Sequence, residues 1–389
     1  MIDVSGVEPV ASAWVDGMAV TFRVPDPAHR LAGVRLRQDV RIPGDRLDFH
    51  RTGASVGDGA GVGGAGGDGA GEGWELIIGR PPVTRMEYLF EFRYPGGGAE
   101  TVTDPGNPRQ VPGAFGPKSV LEFPSYRPPR WLTEQTEPGR SAAFEVPGGS
   151  LDGSIEVRTW APADASDDEV LPLLVAHDGP EYDALASLTG YLAAGVTGGW
   201  LPRLRAALFS PGSRDRWYSA NPRYARTLAG AVLPALGGRL ATSVRVGMGT
   251  SLGGLAMLHA YCRYPDTFDG LFLQSGSFFC PRFDDHERHF PYYPRMVRFV
   301  AGLHGVVGHG ALGPGGAASH GGLPDRRIPV VLTCGAIEEN VDNNRLMEQA
   351  LRARGYQVAL HELPDMHNYT AWRDAFDPHL TRLLGQVCG

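Results

Sequence analysis

The first third of the chain alternates apolar and polar positions with a period of two. Val20, Phe22 and Val24 alternate with Thr21 and Arg23, and Val34 and Leu36 with Arg35 and Arg37. Met86, Tyr88, Phe90 and Phe92 alternate with Glu87, Leu89, Glu91 and Arg93. Successive side chains of a strand point to opposite faces, so each run predicts a strand with one buried face. Turns rich in Gly, Pro and Asp separate the runs, which predicts antiparallel strands packed as a sandwich. The polar, Pro-rich stretch 125–135 reads as a junction. Beyond it, buried-strand candidates at 171–176, 206–209, 244–248, 270–273 and 329–333 alternate with helical spacing, as at Tyr224, Leu228 and Val232. Strands alternating with helices predict a mainly parallel sheet. The expected fold class is therefore α/β, an α/β domain over 131–389 preceded by an all-β sandwich domain over 1–130. A chain of 389 residues is also long for one hydrophobic core.

Two low-complexity stretches interrupt the pattern, at 53–73 and 302–322. Such Gly and Ala runs cannot bury a core, and each predicts a flexible surface loop. Neither is followed by G-K-[ST], so neither reads as a phosphate loop.

Charge changes the picture little. The net charge is −7, with 42% apolar and 20% charged residues. That balance suits a globular protein and gives no reason to expect nucleic acid or an anionic membrane as partner. Lys118 is the only lysine, so 36 − 1 = 35 of the basic residues are arginines. Most read as ordinary surface residues of a compositionally biased chain. No apolar run reaches the ~18 residues a membrane span needs. The first residues show neither a basic nor an apolar leader region, so a cytoplasmic location is expected. Cys262, Cys280, Cys334 and Cys388 are far apart and lack C-x-x-C spacing. They predict buried thiols and no metal site; the serine chemistry set out below requires no cofactor.

The chemistry concentrates in the second part. Gly249-Thr250-Ser251-Leu252-Gly253 matches G-x-S-x-G, a loose pattern given meaning by its context. A strand-like run, 244–248, leads in, and a helix-like run, 252–262, leads out and stops before Pro265. A serine on such a strand-to-helix turn is a candidate nucleophile, with the Leu252 N–H as first oxyanion donor. Its base should be a histidine, which is neutral near pH 7. His367 lies just after the last strand-like run, 358–363, where this fold places its base. His177, also directly after a strand, is the rival and reads as structural or as lining the site. His259 falls inside the helix after the nucleophile and reads as packed. His286, His289, His304, His309 and His320 fall in loops with no positional argument. The orienting acid should follow the strand 330–333, where Glu338, Glu339 and Asp342 crowd one loop. Glu338 is the choice; either rival could be a solvated charge, and Asp342 a helix cap. A second oxyanion donor should come from His177-Asp178-Gly179-Pro180-Glu181-Tyr182. Pro180 has no N–H, which leaves Gly179 or Glu181.

Taken in order, these residues resemble the enterochelin (ferric enterobactin) esterase family, the esterase-D-like branch of the α/β-hydrolases. The first part contributes Thr103-Asp104-Pro105-Gly106-Asn107-Pro108 and Lys118-Ser119-Val120-Leu121-Glu122-Phe123-Pro124, which look like the exit of that family's N-terminal domain. The second contributes Asp178-Gly179, then Arg214, Asn221 and Tyr224, the elbow 249–253, Gly335 to Glu338, and His367 with Trp372 and Arg373. Trp217 departs from the family, which has a carboxylate three residues after the arginine. The two Gly-rich stretches are extra. The resemblance implies an immunoglobulin-like sandwich before an α/β-hydrolase domain. It implies hydrolysis of the ester bonds of a catecholate siderophore, with Asp178, Tyr182, Arg214, Asn221 and Trp372 meeting the substrate. A general carboxylesterase or acyltransferase is the alternative enzyme. A catalytically silent ligand-binding module is the alternative of another class.

Overall fold

The computed structural model describes residues 13–39, 42, 46–53, 72–304 and 323–389. Most of both Gly-rich stretches, with His309 and His320, lies outside them. The chain divides into two units, Met1–Arg127 with Pro364–Met366, and Pro128–Leu363 with His367–Gly389.

The first unit is built on β1 (Ala13–Asp16), β2 (Ala19–Pro25), β3 (Gly33–Gln38), β4 (His50–Thr52), β5 (Gly73–Gly79), β6 (Arg85–Arg93), β7 (Ala99–Val102), β8 (Gln110–Val111) and β9 (Lys118–Glu122). One antiparallel sheet has the order β1-β2-β5-β4; the other runs β3-β6-β9-β8, with β7 also on β6. The alternating apolar residues face inward. Phe22 of the first sheet meets Tyr88 and Phe90 of the second, with ring centroids 5.1 and 6.2 Å apart. Edge-to-face rings of this kind fill the space between two pleated sheets.

Thr52 and Gly73 are paired across β4 and β5, so the backbone is already in hairpin register where the first Gly-rich stretch begins and ends. Replacing that stretch by a short turn is expected to leave the melting temperature within a few degrees. Closure entropy changes slowly with loop length. Thermal unfolding of the shortened chain checks this, and a collapse of stability would refute it.

The second unit carries an eight-stranded sheet. Its strands are β10 (Arg140–Pro147), β11 (Ser154–Ala161), β12 (Leu171–Ala176), β13 (Arg205–Phe209), β14 (Thr242–Thr250), β15 (Gly270–Gln274), β16 (Val330–Gly335) and β17 (Val358–Leu363). The order is β10-β11-β13-β12-β14-β15-β16-β17, and every pair from β13 to β17 is parallel. The antiparallel pair β10–β11 was not anticipated. Its signal is present in β11, where Ile155, Val157 and Thr159 alternate inward against exposed Ser154 and Glu156.

Helices connect the parallel strands: α1 (Gly179–Ala186), α2 (Leu188–Thr197), α3 (Arg214–Tyr218), α4 (Pro222–Thr227), α5 (Leu233–Gly237), α6 (Leu252–Arg263), α7 (Tyr293–Leu303), α8 (Val341–Ala353), α9 (Tyr369–Asp374) and α10 (Thr381–Cys388). They cover both faces. Val175, Ala207 and Phe209 pack with Leu255 and Tyr261 of α6 on one side. Leu174, Ala206 and Met248 pack with Leu192 of α2 and Leu383 of α10 on the other. A sheet covered on both faces accounts for strands that read as apolar runs rather than alternating ones. The consequence for function is positional. The C-terminal ends of β14, β15, β16 and β17 lie side by side, and each continues into a loop.

No helix among the described residues is long and apolar enough to cross a membrane.

Candidate active site

Ser251 closes the turn between β14 and α6. Its backbone takes φ 53° and ψ −122°, a conformation side chains other than glycine rarely adopt. Its own N–H donates to Gln274 O at 2.9 Å, and its carbonyl accepts from Ser277 N at 3.1 Å and Leu255 N at 3.2 Å. Those bonds to β15 and α6 hold the strained turn. Gly249 is needed here because a Cβ on it would lie 2.5 Å from the carbonyl carbon of Gly253. The Ser251 hydroxyl is 3.1 Å from that of Ser277.

The next strand ends supply the other groups. Glu338 follows β16 and is 1% exposed. Its Oε2 accepts from His367 Nδ1 at 2.7 Å, and His367 follows β17. Its Oε1 accepts from Ser275 Oγ at 2.6 Å, from Gly335 N at 2.7 Å and from the Cys334 thiol. Burial alone would raise the Glu338 pKa. The His367 charge and the bonds from His367, Cys334 and Ser275 outweigh it and hold the carboxyl below the usual range. Glu339 instead faces His286 at 3.2 Å on the surface, and Asp342 pairs with Arg345 in the first turn of α8.

Several supporting residues went unread in the sequence. Gln274 donates to Thr333 Oγ1 and to Trp372 O, while its carbonyl anchors Ser251 N. Ser275 accepts from the Trp372 indole N–H at 3.0 Å and donates its own O–H to Glu338 Oε1. Asn340, just before α8, and Asn344, in its first turn, donate to the carbonyls of Ser275 and Gly276. The available signal was the polar run Gln274-Ser275-Gly276-Ser277 directly after an apolar strand.

The residues expected to meet substrate resolve differently. Tyr182 is fully buried, and its hydroxyl donates to Gln274 Oε1 at 2.7 Å. It is a core residue. Asn221 caps α4, accepting from Arg223 N at 2.9 Å and donating to Arg216 O at 2.9 Å. The protein itself satisfies the polar atoms of both in these bonds, which gives each a structural role. Trp372 lies edge-on to His367, with centroids 4.9 Å apart, and its N–H is taken by Ser275. It steadies the imidazole. Asp178 and Arg214, expected as separate contacts, are partners: Nε–Oδ1 is 2.8 Å and NH2–Oδ2 is 2.9 Å. Asp178 is 1% exposed, and the Arg214 side chain 33%. Burial opposes the Arg214 charge, but Asp178 more than offsets it, so the guanidinium stays firmly protonated. Trp217, at the position that departs from the family pattern, is buried against Tyr224.

His177 is not a rival base. Burial, with a further push from Arg214, lowers its pKa to about 3, against the opposing bond to Gly253 O. Nδ1 lies 3.0 Å from Gly253 O, and Nε2 lies 2.7 Å from the Tyr224 hydroxyl. This neutral ring ties the end of β12 to the start of α6. His259 is likewise buried, edge-on to Phe299. Gly179 opens α1 after β12, and Leu252 opens α6 after the neighbouring β14. The first N–H groups of a helix have no partner within it, so two helix starts bring free donors to adjacent strand ends. Among the described residues, His286, Glu287 and Glu339, of which Glu287 is half-buried, bring metal-type ligand atoms within 4.8 Å of one another. Glu339 directly follows Glu338, but its carboxylate turns to the surface and pairs with His286.

No protein-family model matches this chain, and no curated protein sequence matches it. Its structure, however, is similar to that of the ferric enterobactin esterase of Salmonella typhimurium. The two are 19% identical over 95% of this chain and 93% of that one, with a TM-score of 0.67. The enterobactin esterase of Shigella flexneri, crystallised with 2,3-dihydroxy-N-benzoyl-serine, is 17% identical over 97% of both chains, also at 0.67. A ferulic acid esterase matches 65% of this chain with 99% of its own, at 16% identity and a TM-score of 0.53. The chain thus has the fold of the enterobactin esterases along nearly its whole length.

Proposed function

We propose that this chain is a serine carboxylic ester hydrolase of α/β-hydrolase architecture behind an immunoglobulin-like sandwich. The observation that carries the reading is the Glu338–His367 pair, set on strand ends beside a serine in a strained turn. Ser251 Oγ attacks the ester carbonyl. His367 Nε2 takes its proton and later returns it to the departing alkoxide. Glu338 holds Nδ1–H, fixing the tautomer this requires and stabilising the imidazolium. The N–H groups of Leu252 and Gly179 receive the oxyanion, each worth about 3 kcal/mol in comparable sites. Water then releases the acyl group by the same path.

The finer reading is that the ester is a lactone bond of a catecholate siderophore such as ferric enterobactin, its cleavage releasing iron. Support for it is the fold shared with enterobactin esterases in both units. One observation favours the alternative of a general carboxylesterase or acyltransferase. Arg214, the cation expected to meet a polyanionic substrate, is committed to Asp178.

The deciding experiment measures initial rates on a ferric trilactone and on p-nitrophenyl butyrate, with labelling by a fluorophosphonate. Ser251-dependent cleavage of the trilactone supports the siderophore reading. Cleavage of the simple ester alone leaves a general esterase, and a protein that neither labels nor turns over is no hydrolase. Arg214→Ala adds to this comparison. Removing Arg214 leaves the Asp178 charge buried and unpaired, which costs about 3 kcal/mol. We therefore expect a lower melting temperature and a similar loss of kcat/KM on both esters. A loss confined to the trilactone would restore Arg214 as a substrate contact.

A further inference from the structure

The large sheet has a second end that the proposed chemistry does not use. Ser251, Glu338 and His367 follow the C-terminal ends of parallel strands. At the opposite end Arg140 opens β10 and Arg205 opens β13. The register sets Arg140 opposite Ala161, the last residue of β11, and β11 itself pairs with β13. A cleft of about 170 Å³ lies here, lined by Arg140, Arg205 and Arg239 together with Asp167, Phe144 and Thr159.

Three guanidinium groups share this cleft with one carboxylate. Asp167 answers Arg140, with which it forms an ion pair. Among the described residues, Arg205 forms no such ion pair. It is 1% exposed, and its terminal nitrogens donate only to main-chain carbonyls, those of Glu169 at 2.7 Å, Ala241 at 2.8 Å and Ser166. Carbonyls orient a guanidinium but do not neutralise it. Its Nε–H is buried and has no acceptor among the described residues. Arg239 lies over the Phe144 ring, 4.4 Å from its centre. A purely structural clamp, in which Arg205 ties the 166–169 loop to Ala241, accounts for its terminal nitrogens. It accounts neither for the orphaned Nε–H nor for a second arginine on the same cleft. Burial, with the Arg140 charge behind it, also pushes the Arg205 pKa down against the pull of Glu169, Asp167 and Asp168.

We infer that this cleft is a binding site for a small oxyanion of the phosphate or sulfate class, free or as a monoester, held between Arg205 and Arg239. Guanidinium N–H groups match the oxygens of such anions in charge and geometry. The cleft is well below the size of a site for a drug-sized ligand. Its place at the far end of the sheet from Ser251 makes the occupant something other than the ester substrate.

The test is thermal unfolding of the full chain in low-millimolar inorganic phosphate, sulfate or chloride at constant ionic strength. A saturable rise in melting temperature is expected with phosphate and sulfate but not with chloride. It should disappear in Arg205→Met and persist in Ser251→Ala. In Arg239→Gln the half-saturating concentration should rise about tenfold, as loss of one charge-assisted contact implies. A matching response to phenyl phosphate would identify a monoester site; a response to inorganic phosphate alone would identify a free-ion site. The inference is overturned by a rise that grows without saturating, as general salt exclusion produces. It is equally overturned by a response of the same size in chloride, or by an undiminished response in Arg239→Gln. Arg239 is exposed, so that variant decides the matter even if Arg205→Met does not fold.

Discussion

Ser251→Ala is expected to abolish ester hydrolysis, by about 10⁴- to 10⁶-fold in kcat, while leaving the protein folded. On the proposed mechanism the covalent path ends with the Ser251 hydroxyl. Ser277 lies 3.1 Å away but sits on the loop after β15 rather than at the start of α6. The fold should survive because the bonds that hold the turn belong to the Ser251 backbone, not to its side chain. Alanine must still adopt the same positive φ, so stability should change by no more than about 1 kcal/mol. Fluorophosphonate labelling should vanish in parallel. Circular dichroism, turnover and labelling on one preparation check all three expectations, and turnover at the wild-type rate in a folded variant would refute the assignment. His367→Ala should be comparably severe, and the double variant hardly worse than either single one, since the pair acts as a unit.

Glu338→Gln is the second large effect, about 10⁴-fold in kcat. The carboxylate accepts from four donors: His367 Nδ1, Ser275 Oγ, Gly335 N and the Cys334 thiol. A glutamine places an NH₂ where one of those donors points. Either the imidazole turns to the wrong tautomer or a buried donor is left unmatched, at about 1–3 kcal/mol. Stability should therefore fall together with activity. The pH dependence has a definite sign. Because the folded pKa of Glu338 is depressed, its contribution is complete above the unfolded value, near ~4.3, and is lost as pH falls through the lower folded value. The variant should lose this acid-side dependence, so its stability deficit narrows below about pH 4. Glu339→Gln and Asp342→Asn should change kcat less than about threefold, because both carboxylates sit in exposed ion pairs. A wild-type rate in Glu338→Gln beside a large loss in either rival would reverse the choice of acid.

The sequence by itself determined the layout of the elements and the type of chemistry. Period-two alternation marked the strands of the first unit. The apolar runs marked β12 to β16, because a strand covered on both faces has no polar side to show. Gly249 and Gly253 marked the elbow, and at Gly249 only a residue without a Cβ fits. Chain order then set Ser251, a carboxylate after β16 and His367 in sequence, and these are local properties that a short window of residues carries.

Only the tertiary structure decided what depends on residues far apart in the chain. Glu338, Glu339 and Asp342 are equivalent in a loop of the sequence. The structure separates them physically: Glu338, the choice in the sequence, is buried against Ser275 and His367, while Glu339 reaches His286 and Asp342 reaches Arg345. Tyr182 and Asn221 look like ligands for a substrate until Gln274 and the start of α4 claim their polar atoms. Arg214 looks like a free cation until Asp178, at the start of α1, neutralises it. Arg205 looks like one more arginine of a biased composition until burial removes its water and its terminal nitrogens meet main-chain carbonyls. In each case the side chain is the same and the partner differs. Partners are chosen by packing, which no window of sequence contains.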